Sequence, residues 1–234
     1  MRNILKYVFC CALLFSCEKK ELRKIVTLET FDKIELNDFF EVFLIQDTVC
    51  KLEIVASPKI VNKVKYVIEN GKLIIDNSYR GNWSHPKSNK VKLYIHVIAL
   101  KELNAQETCN IQTVNTLLGD EIGFMLGSKL NQVSLDLNCT TFYAWNNFPC
   151  SGKITLTGQV QNLKLWTDAL IAVDAKNLQT SYALVVTKSK GAVEINVSSI
   201  IDYSINGSGN IELYGNPNTV LNSGTTGTGK LVIL

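Results

Sequence analysis

Hydrophobic and polar residues alternate along most of this chain. The alternation is clearest in KIELNDFFEVFLIQ (33–46), KLEIVA (51–56), GKLIID (71–76), KVKLYIHVIAL (90–100) and QVSLDL (132–137). A period of two is typical of β-strands, and Gly, Asn, Asp and Ser separate the runs as they do in turns. The pattern therefore predicts an all-β protein. One short helix is expected in SPKIVNKV (57–64), where Ser57 can cap it and Pro58 suits its first position.

A short phrase recurs at regular intervals through the second half of the chain. It consists of a small or polar residue followed by apolar residues two and four places later, and it begins at Cys109, Asn131, Gly152, Ala169, Gly191, Gly209 and Gly229. The steps between these positions are 22, 21, 17, 22, 18 and 20 residues. A period of about 20 residues is typical of stacked, solenoid-like architectures.

The repeat predicts a parallel β-helix or a closely related β-solenoid, in which each coil holds two or three short strands. Stacked coils would pair as parallel strands about 4.8 Å apart. We then expect one inward column to contain Ile154, Val193, Ile211 and Leu231. A β-sandwich also has many short strands, but it does not predict one phrase that recurs seven times.

The C-terminal sequence GTTGTGKLVIL resembles a phosphate-binding loop. A true loop of this kind has Ser or Thr after the lysine to hold Mg²⁺, whereas Leu231 follows Lys230 here. The segment GTGKLVI (227–233) instead aligns without a gap on GSGNIEL (207–213). We therefore assign these glycines to the corners of the coils, where glycine reaches positive φ without strain, and expect no nucleotide.

Composition and charge narrow the possible functions. The chain has 234 residues, of which 46% are hydrophobic and 19% charged, so it can form a core and is not disordered. Its 24 basic and 21 acidic residues offer no electrostatic surface for nucleic acid. We therefore expect no nucleic-acid partner.

The N-terminus has the order of a secretory signal. Arg2 and Lys6 precede the apolar run VFCCALLF, which is too short to cross a bilayer as a helix. The run ends in Leu-Phe-Ser-Cys, which resembles the bacterial lipobox. This resemblance implies cleavage before Cys17 and acylation of that cysteine. The alternative is an ordinary signal peptide that contains a cysteine by chance.

This N-terminus sets the predicted organisation of the chain: a lipoprotein signal peptide (1–16), a tether (17–24) and one β-helical domain (25–234). The lipid on Cys17 would make the membrane a partner and place the protein in the cell envelope. The outer membrane is the expected site, and the side of it is left open.

Four cysteines remain after the signal and Cys17 are set aside. Cys50, Cys109, Cys139 and Cys150 each share the parity of neighbouring apolar residues, so they fit small buried side chains. Buried free thiols are the favoured interpretation, and at least one disulfide is the alternative in an exported protein. The chain has no Cys-x-x-Cys pair and only two histidines, so we expect neither a zinc site nor another cofactor.

Four segments together resemble a known family: FDKIELNDFFEVFLIQD (31–47), KLEIVAS (51–57), VIENGKLIID (67–76) and INGSGNIELYGNP (205–217). They are similar to the auto-transporter adhesin, head GIN domain family. The resemblance implies a right-handed parallel β-helix-like domain on a bacterial envelope lipoprotein, and it supplies no catalytic residues. SKLNQVSLDLN and TDALIAVDA replace the expected Gly-Ser-Gly corners, which indicates a face that displays side chains.

Two tryptophans form the first candidate site. Trp145 and Trp166 are 21 residues apart, which is one coil, and Asn146 and Asp168 lie beside them. If exposed, the rings would form a stacking platform for a sugar ring or a contact for a protein partner. The alternative is that both rings fill the core.

The loop SYRGNWSHPKSN (78–89) is the longest break in the strand pattern. Arg80 and Trp83 are residue types that are enriched at binding hot spots, so this loop is a second candidate contact. A solvated hairpin loop is the alternative.

The sequence shows no obvious catalytic pair. Four aspartates, Asp136, Asp168, Asp174 and Asp202, are separated by 32, 6 and 28 residues, and none of these steps is one coil. His96 is out of phase with its apolar neighbours and is expected to point outward. The favoured function is a non-catalytic binding, adhesin-like or surface-display module. The alternative is a polysaccharide-active enzyme or glycan-binding protein on the same scaffold.

Overall fold

The computed structural model describes residues 21–79, 90–127, 130–146 and 150–234. Within these ranges the chain forms no helix, and therefore none that could cross a membrane. It forms seventeen strands: β1 Leu22–Thr27, β2 Lys33–Leu36, β3 Phe40–Gln46, β4 Lys51–Ala56, β5 Val64–Glu69, β6 Lys72–Asn77, β7 Lys92–Val97, β8 Glu102–Ala105, β9 Cys109–Thr113, β10 Leu117–Leu126, β11 Leu130–Asn146, β12 Ser151–Thr167, β13 Leu170–Thr187, β14 Val193–Ile205, β15 Ile211–Tyr214, β16 Thr219–Asn222 and β17 Leu231–Ile233.

The strands wind into a β-solenoid of about six turns with about 20 residues per turn. Strands β10 to β14 pair in parallel, each with the next, and β14 continues to β15 and β16. The register places one residue of each coil in a single inward column: Ile111, Val133, Ile154, Val173, Val193, Ile211 and Leu231. The predicted column is therefore confirmed, with Ile111, Val133 and Val173 as additional members.

One repeat was placed two residues out of register by the sequence pattern. Gly152 pairs with Ile171, and Ile154 pairs with Val173, so the phrase that begins at Ala169 is not the equivalent one. Ala169 instead occupies a corner with a φ of 60°. A slip of two residues keeps every side chain on its original face, so alternation alone cannot detect it.

The N-terminal coils do not stack in chain order. Strand β2 lies parallel between β6 and β8, and β3 lies parallel between β7 and β9. Strand β4 runs antiparallel to both β7 and β1, and β5 runs antiparallel to β6. The coil β2–β3 is therefore enclosed between two later coils, and antiparallel strands cover the end of the solenoid. Strand β1 begins at Leu22, before the predicted domain start at residue 25.

The helix predicted for residues 57–64 is wrong. The N–H groups of Ile60 and Val61 donate to the Ser57 carbonyl, and the chain then turns into β5 at Val64. Ile60, Val61 and Val64 are all buried. The segment must bury these side chains and re-enter the sheet within one turn. It is therefore too short for a helix to continue beyond that turn.

The core is a continuous stack of inward side chains. Phe40, Phe124 and Phe142 are its largest fully buried members. Cys50, Cys109, Cys139 and Cys150 are buried free thiols, as the favoured interpretation of the sequence predicted. Burial raises the pKa of Cys109 to about 12 and that of Cys139 to about 11.

The repeated glycines are required by close approach between coils. A Cβ on Gly209 would lie 2.1 Å from the carbonyl oxygen of Gly191, and a Cβ on Gly229 would lie 2.1 Å from that of Gly209. Their φ angles are not positive, so the predicted reason for these glycines is wrong, whereas Gly152 does have a φ of 138°. Glycine is therefore selected here by the distance between stacked backbones.

Candidate ligand-binding surface

Trp145 and Trp166 lie side by side on the outside of the solenoid. They are register partners in β11 and β12, as their spacing of one coil predicts. Ala144 and Leu165 precede them and are buried, so alternation along each strand turns both tryptophans outward. Trp166 is 38% exposed and Trp145 is half-buried. Neither ring fills the core.

A second pair, Tyr143 and Lys164, occupies the neighbouring outward positions of the same two strands. The Tyr143 ring occupies the space above Gly123, where an added Cβ would lie 2.0 Å from its Cζ atom. Glycine at position 123 thus lets the ring lie close to the sheet. Burial, and then the negative charges of Glu102 and Glu121, raise the pKa of Tyr143, so its hydroxyl remains a neutral hydrogen-bond donor.

These side chains line one open cavity. Its volume is about 430 Å³, and its lining consists of Glu121, Tyr143, Trp145, Lys164 and Trp166. We call these five residues the aromatic surface. Three aromatic rings provide apolar area, while one carboxylate and one ammonium group provide polar contacts. A few polar groups around an apolar area are typical of ligand-binding sites.

Asn146 and Asp168, the two polar candidates from the sequence, hold the adjacent corner. The Asp168 N–H donates to Asn146 Oδ1 at 2.9 Å, and Asn146 Nδ2 donates to the Asp168 carbonyl at 3.4 Å. The Asp168 carboxylate accepts from the Ala169 N–H at 2.6 Å. These bonds satisfy the backbone where Ala169 adopts its positive φ. The two residues position the tryptophan strands, and neither lines the cavity.

The aspartates considered for catalysis are separate and engaged in structural bonds. Asp136 accepts from the hydroxyls of Thr116 and Thr157, and Asp202 accepts from that of Ser223. These contacts each join two coils. The carboxylates of Asp136 and Asp202 therefore do not lie beside each other.

One carboxylate pair does span adjacent coils, and the sequence reasoning missed it because only aspartates were compared. Asp174 and Glu194 are register partners. Lys153 Nζ lies 2.7 Å from Asp174, and Lys176 Nζ lies 3.7 Å from Asp174 and 3.2 Å from Glu194. The Lys153 hydrogen bond holds the pKa of Asp174 below its usual value. This network joins three coils by ion pairs.

His96 does not point freely outward as predicted. It is buried, with Nδ1 2.7 Å from Asp47 Oδ2 and Nε2 3.4 Å from Glu53 Oε1. Strand β4 runs alongside β7 and brings Glu53 to the ring. The hydrogen bond from His96 holds the pKa of Asp47 below its usual value.

Three sequence candidates lie outside the described residues: Cys17, Arg80 and Trp83. In the part of the chain that the structure does describe, no group of three or more His, Cys, Asp or Glu side chains is placed to hold a metal ion.

Comparison with known proteins identifies relatives of this fold. The model of the family "Putative auto-transporter adhesin, head GIN domain" matches residues 30–217. No curated protein matches the chain. Among solved structures, a putative adhesin from Bacteroides fragilis NCTC 9343 is similar with a TM-score of 0.81 at 19% identity, covering 92% of this chain and 98% of that one.

Two further structures share the fold. A putative lipid binding protein from Parabacteroides distasonis ATCC 8503 has a TM-score of 0.64 at 14% identity, covering 93% of this chain and 98% of that one. A putative adhesin from Parabacteroides merdae ATCC 43184 has a TM-score of 0.58 at 17% identity, covering 93% and 97%. At these identities the likeness shows only a shared fold. The function of the site therefore depends on its own side chains.

Proposed function

Because the chain belongs to the auto-transporter adhesin, head GIN domain family, we propose that it is a non-catalytic, adhesin-like binding module of the cell envelope. Its partner is a carbohydrate, which it contacts through the aromatic surface. The observation that supports this proposal is the pair of outward tryptophans, Trp145 and Trp166, on adjacent coils.

The aromatic surface suits a sugar ring for two physical reasons. The C–H faces of a pyranose are apolar and stack on indole and phenol rings, which contribute large contact areas with little side-chain entropy. The Lys164 ammonium and the Glu121 carboxylate lie in the same cavity and can donate to and accept from the sugar hydroxyls. Stacking and hydrogen bonding are thus available at one place.

The surface is also preorganised. Strands β11 and β12 are each paired on both sides, so the backbone that carries the rings is fixed before a ligand arrives. Tyr143 is held against Gly123, and the corner bonds of Asn146 fix the strand end. A rigid site loses less conformational entropy on binding, which increases affinity for a given contact area.

The experiment compares wild-type protein with the double variant Trp145→Ala/Trp166→Ala on an array of bacterial and host glycans. Val114→Ala is the control, because Val114 is also an exposed apolar residue but lies elsewhere on the solenoid. We expect the double variant to lose at least about tenfold in affinity, since each buried aromatic contact contributes on the order of 1 kcal/mol or more. Thermal melts establish that all three proteins are folded.

Two results would contradict the proposal. Unchanged glycan binding by the folded double variant would remove the aromatic surface from the contact. Binding of a protein from the cell envelope, with no glycan bound by the wild type, would replace the carbohydrate with a protein partner.

The envelope location rests on the N-terminal sequence. The signal-like residues 1–16 and the lipobox resemblance at Cys17 support a lipid anchor, and two or more acyl chains give stable membrane attachment. In cells, Cys17→Ala is expected to move the protein from the membrane fraction to the soluble fraction. Continued recovery with membranes after a high-salt wash would contradict the anchor.

A further inference from the structure

A second cavity lies on a different side of the solenoid from the tryptophan pair. Its volume is about 700 Å³, and residues of the five parallel strands β10 to β14 line it. It is bordered by two rows of outward side chains that run along the solenoid axis. We call this cavity the amide groove.

The first row is a ladder of carboxamides. The register places one amide on each of four consecutive coils: Asn138, Gln159, Gln179 and Asn196. The second row lies two residues further along each strand and also contains only small or amide side chains: Thr140, Gln161, Ser181 and Ser198. Adjacent members of a row are about 4.8 Å apart, because this is the spacing of paired strands.

The lining of the groove carries no charge. None of its residues is Asp, Glu, Lys or Arg, although these types make up 19% of the chain. Charged side chains are instead concentrated elsewhere, as in the Asp174–Glu194 network. A groove without charge neither attracts nor compensates an ionic ligand, and it imposes no charge-desolvation penalty on a neutral one.

Most of the amides are available for binding. Among the described residues, the carboxamides of Asn138, Gln159 and Gln179 make no hydrogen bond to the protein, and all three are exposed. The remaining row member, Asn196, donates to the Lys176 carbonyl at 3.3 Å. Ser198 Oγ, in the second row, donates to the carbonyl of Thr180, which lies between the rows, at 3.2 Å, and Thr180 Oγ1 donates to the Gln161 carbonyl at 3.4 Å, so the floor is already bonded internally.

We propose that the amide groove binds an uncharged, linear polysaccharide that lies along the solenoid axis. A carboxamide both donates and accepts hydrogen bonds, and so does a sugar hydroxyl. Because a pair of uncharged polar side chains, an amide and then a hydroxyl or a second amide, recurs at each of the four coils, a polymer of repeating sugar units meets a similar contact at each step. The repeat of the polysaccharide thus matches the repeat of the amide groove.

A peptide fits the groove less well. Peptides that bind to sheets add a strand at an open edge, whereas the strand segments that form this groove are inner strands, paired on both sides from β11 to β13. The groove also lacks the aromatic or arginine anchors that protein partners use. The amide groove is a separate site from the aromatic surface. The proposal for the groove does not depend on which ligand the aromatic surface binds.

A third cavity connects the groove to the aromatic surface. Gly119 lines both the amide groove and an adjoining cavity of about 660 Å³. That adjoining cavity shares Glu121 and Tyr143 with the aromatic surface. The three cavities are therefore contiguous.

The experiment is affinity electrophoresis in gels that contain a soluble neutral polysaccharide (dextran, mannan, xylan or galactan) or an anionic one (alginate or polygalacturonate). The test variant is Gln159→Ala/Gln179→Ala. The matched control is Gln112→Ala/Gln132→Ala, which removes two exposed glutamines on other strand positions outside the groove. Trp145→Ala/Trp166→Ala is run in parallel to separate the two sites.

We expect at least one neutral polysaccharide to retard the wild type and both anionic ones to leave it unretarded. The groove variant should bind roughly 30-fold more weakly, which corresponds to about 2 kcal/mol for two lost hydrogen bonds. The control pair should bind like the wild type. The proposal is overturned if no neutral polysaccharide binds, if only an anionic one binds, or if the groove variant binds like the control.

Discussion

Replacement of Gly209 by alanine tests the idea that the distance between coils, rather than backbone conformation, selects glycine at the repeated corners. The added Cβ would lie 2.1 Å from the Gly191 carbonyl oxygen, whereas real contacts of this kind are not shorter than 3.0 Å. The two backbones would have to separate by about 0.9 Å. They are held together by the bond from the Gly209 N–H to the Ser189 carbonyl, at 3.0 Å.

The expected loss of stability follows from three contributions. Overpacking against a neighbour costs about 1–3 kcal/mol, and weakening one backbone hydrogen bond costs about 1 kcal/mol more. Replacing glycine also lowers the conformational entropy of the unfolded chain, which stabilises the folded state by about 0.4–1 kcal/mol. The net destabilisation is about 1–3.5 kcal/mol, which for a domain of this size lowers Tm by roughly 2–14 °C.

Gly224→Ala is the matched control. Gly224 has a φ of 116°, but nothing lies within 4 Å of an added Cβ. It should lose only the conformational strain of alanine at positive φ, about 1–2 kcal/mol, and regain the same ~0.4–1 kcal/mol of unfolded-state entropy, for a net loss of about 0–1.5 kcal/mol. Urea and thermal unfolding followed by circular dichroism measure both variants. A Gly209→Ala protein that is at least as stable as Gly224→Ala would refute the close-approach argument.

Two further predictions concern titrating groups. Burial raises the pKa of Cys109 to about 12 and that of Cys139 to about 11. Iodoacetamide near pH 8 should therefore alkylate neither thiol in the native protein, although both should react in urea. Mass spectrometry measures the extent of alkylation, and rapid labelling of the native protein would contradict this prediction. Asp174 has a pKa below its usual value in the folded state, so it stabilises the protein above the unfolded pKa of about 4, and this contribution is lost as pH falls below that value. Asp174→Asn should therefore be less stable than wild type near pH 7, and the difference should shrink as pH falls below about 4; a stability difference that does not change with pH would refute the ion-pair role.

The repeating half of the fold is predictable because its signal is local. Each coil must bury alternate side chains, so inward positions such as Ile211 and Leu231 can be assigned from parity and spacing. The same parity conceals a slip of two residues, and this is why Ala169 was assigned to the wrong position. Only the register shows that Ala169 is a corner.

The N-terminal half is less predictable because its pairings are not sequential. Nothing in the alternation of residues 33–46 indicates that β7 and β9 will lie on either side of β3. The burial of His96 follows from the same arrangement, since strand β4 folds back beside β7. These contacts join residues that are far apart in the sequence, and no local pattern encodes them.

The candidate site was predictable in part. The spacing of one coil brings Trp145 and Trp166 together, and the same spacing of 21 residues separates Tyr143 from Lys164, so the sequence also carries the signal for this second pair. Asn146 illustrates the opposite error. A polar side chain beside an aromatic one resembles a ligand contact in sequence, but here it satisfies backbone groups at a corner.

The enclosed position of the β2–β3 coil has a consequence for the order of events during folding. Strand β3 needs both β7 and β9, so the first coil of the chain cannot be completed until residue 113 has left the ribosome. Within the described residues, strands β11 to β14 pair only with strands of the adjacent coils, and each can add to the one before it. The early, long-range closure is therefore expected to be the slow nucleation step, and coil-by-coil growth toward the C-terminus is expected to follow quickly.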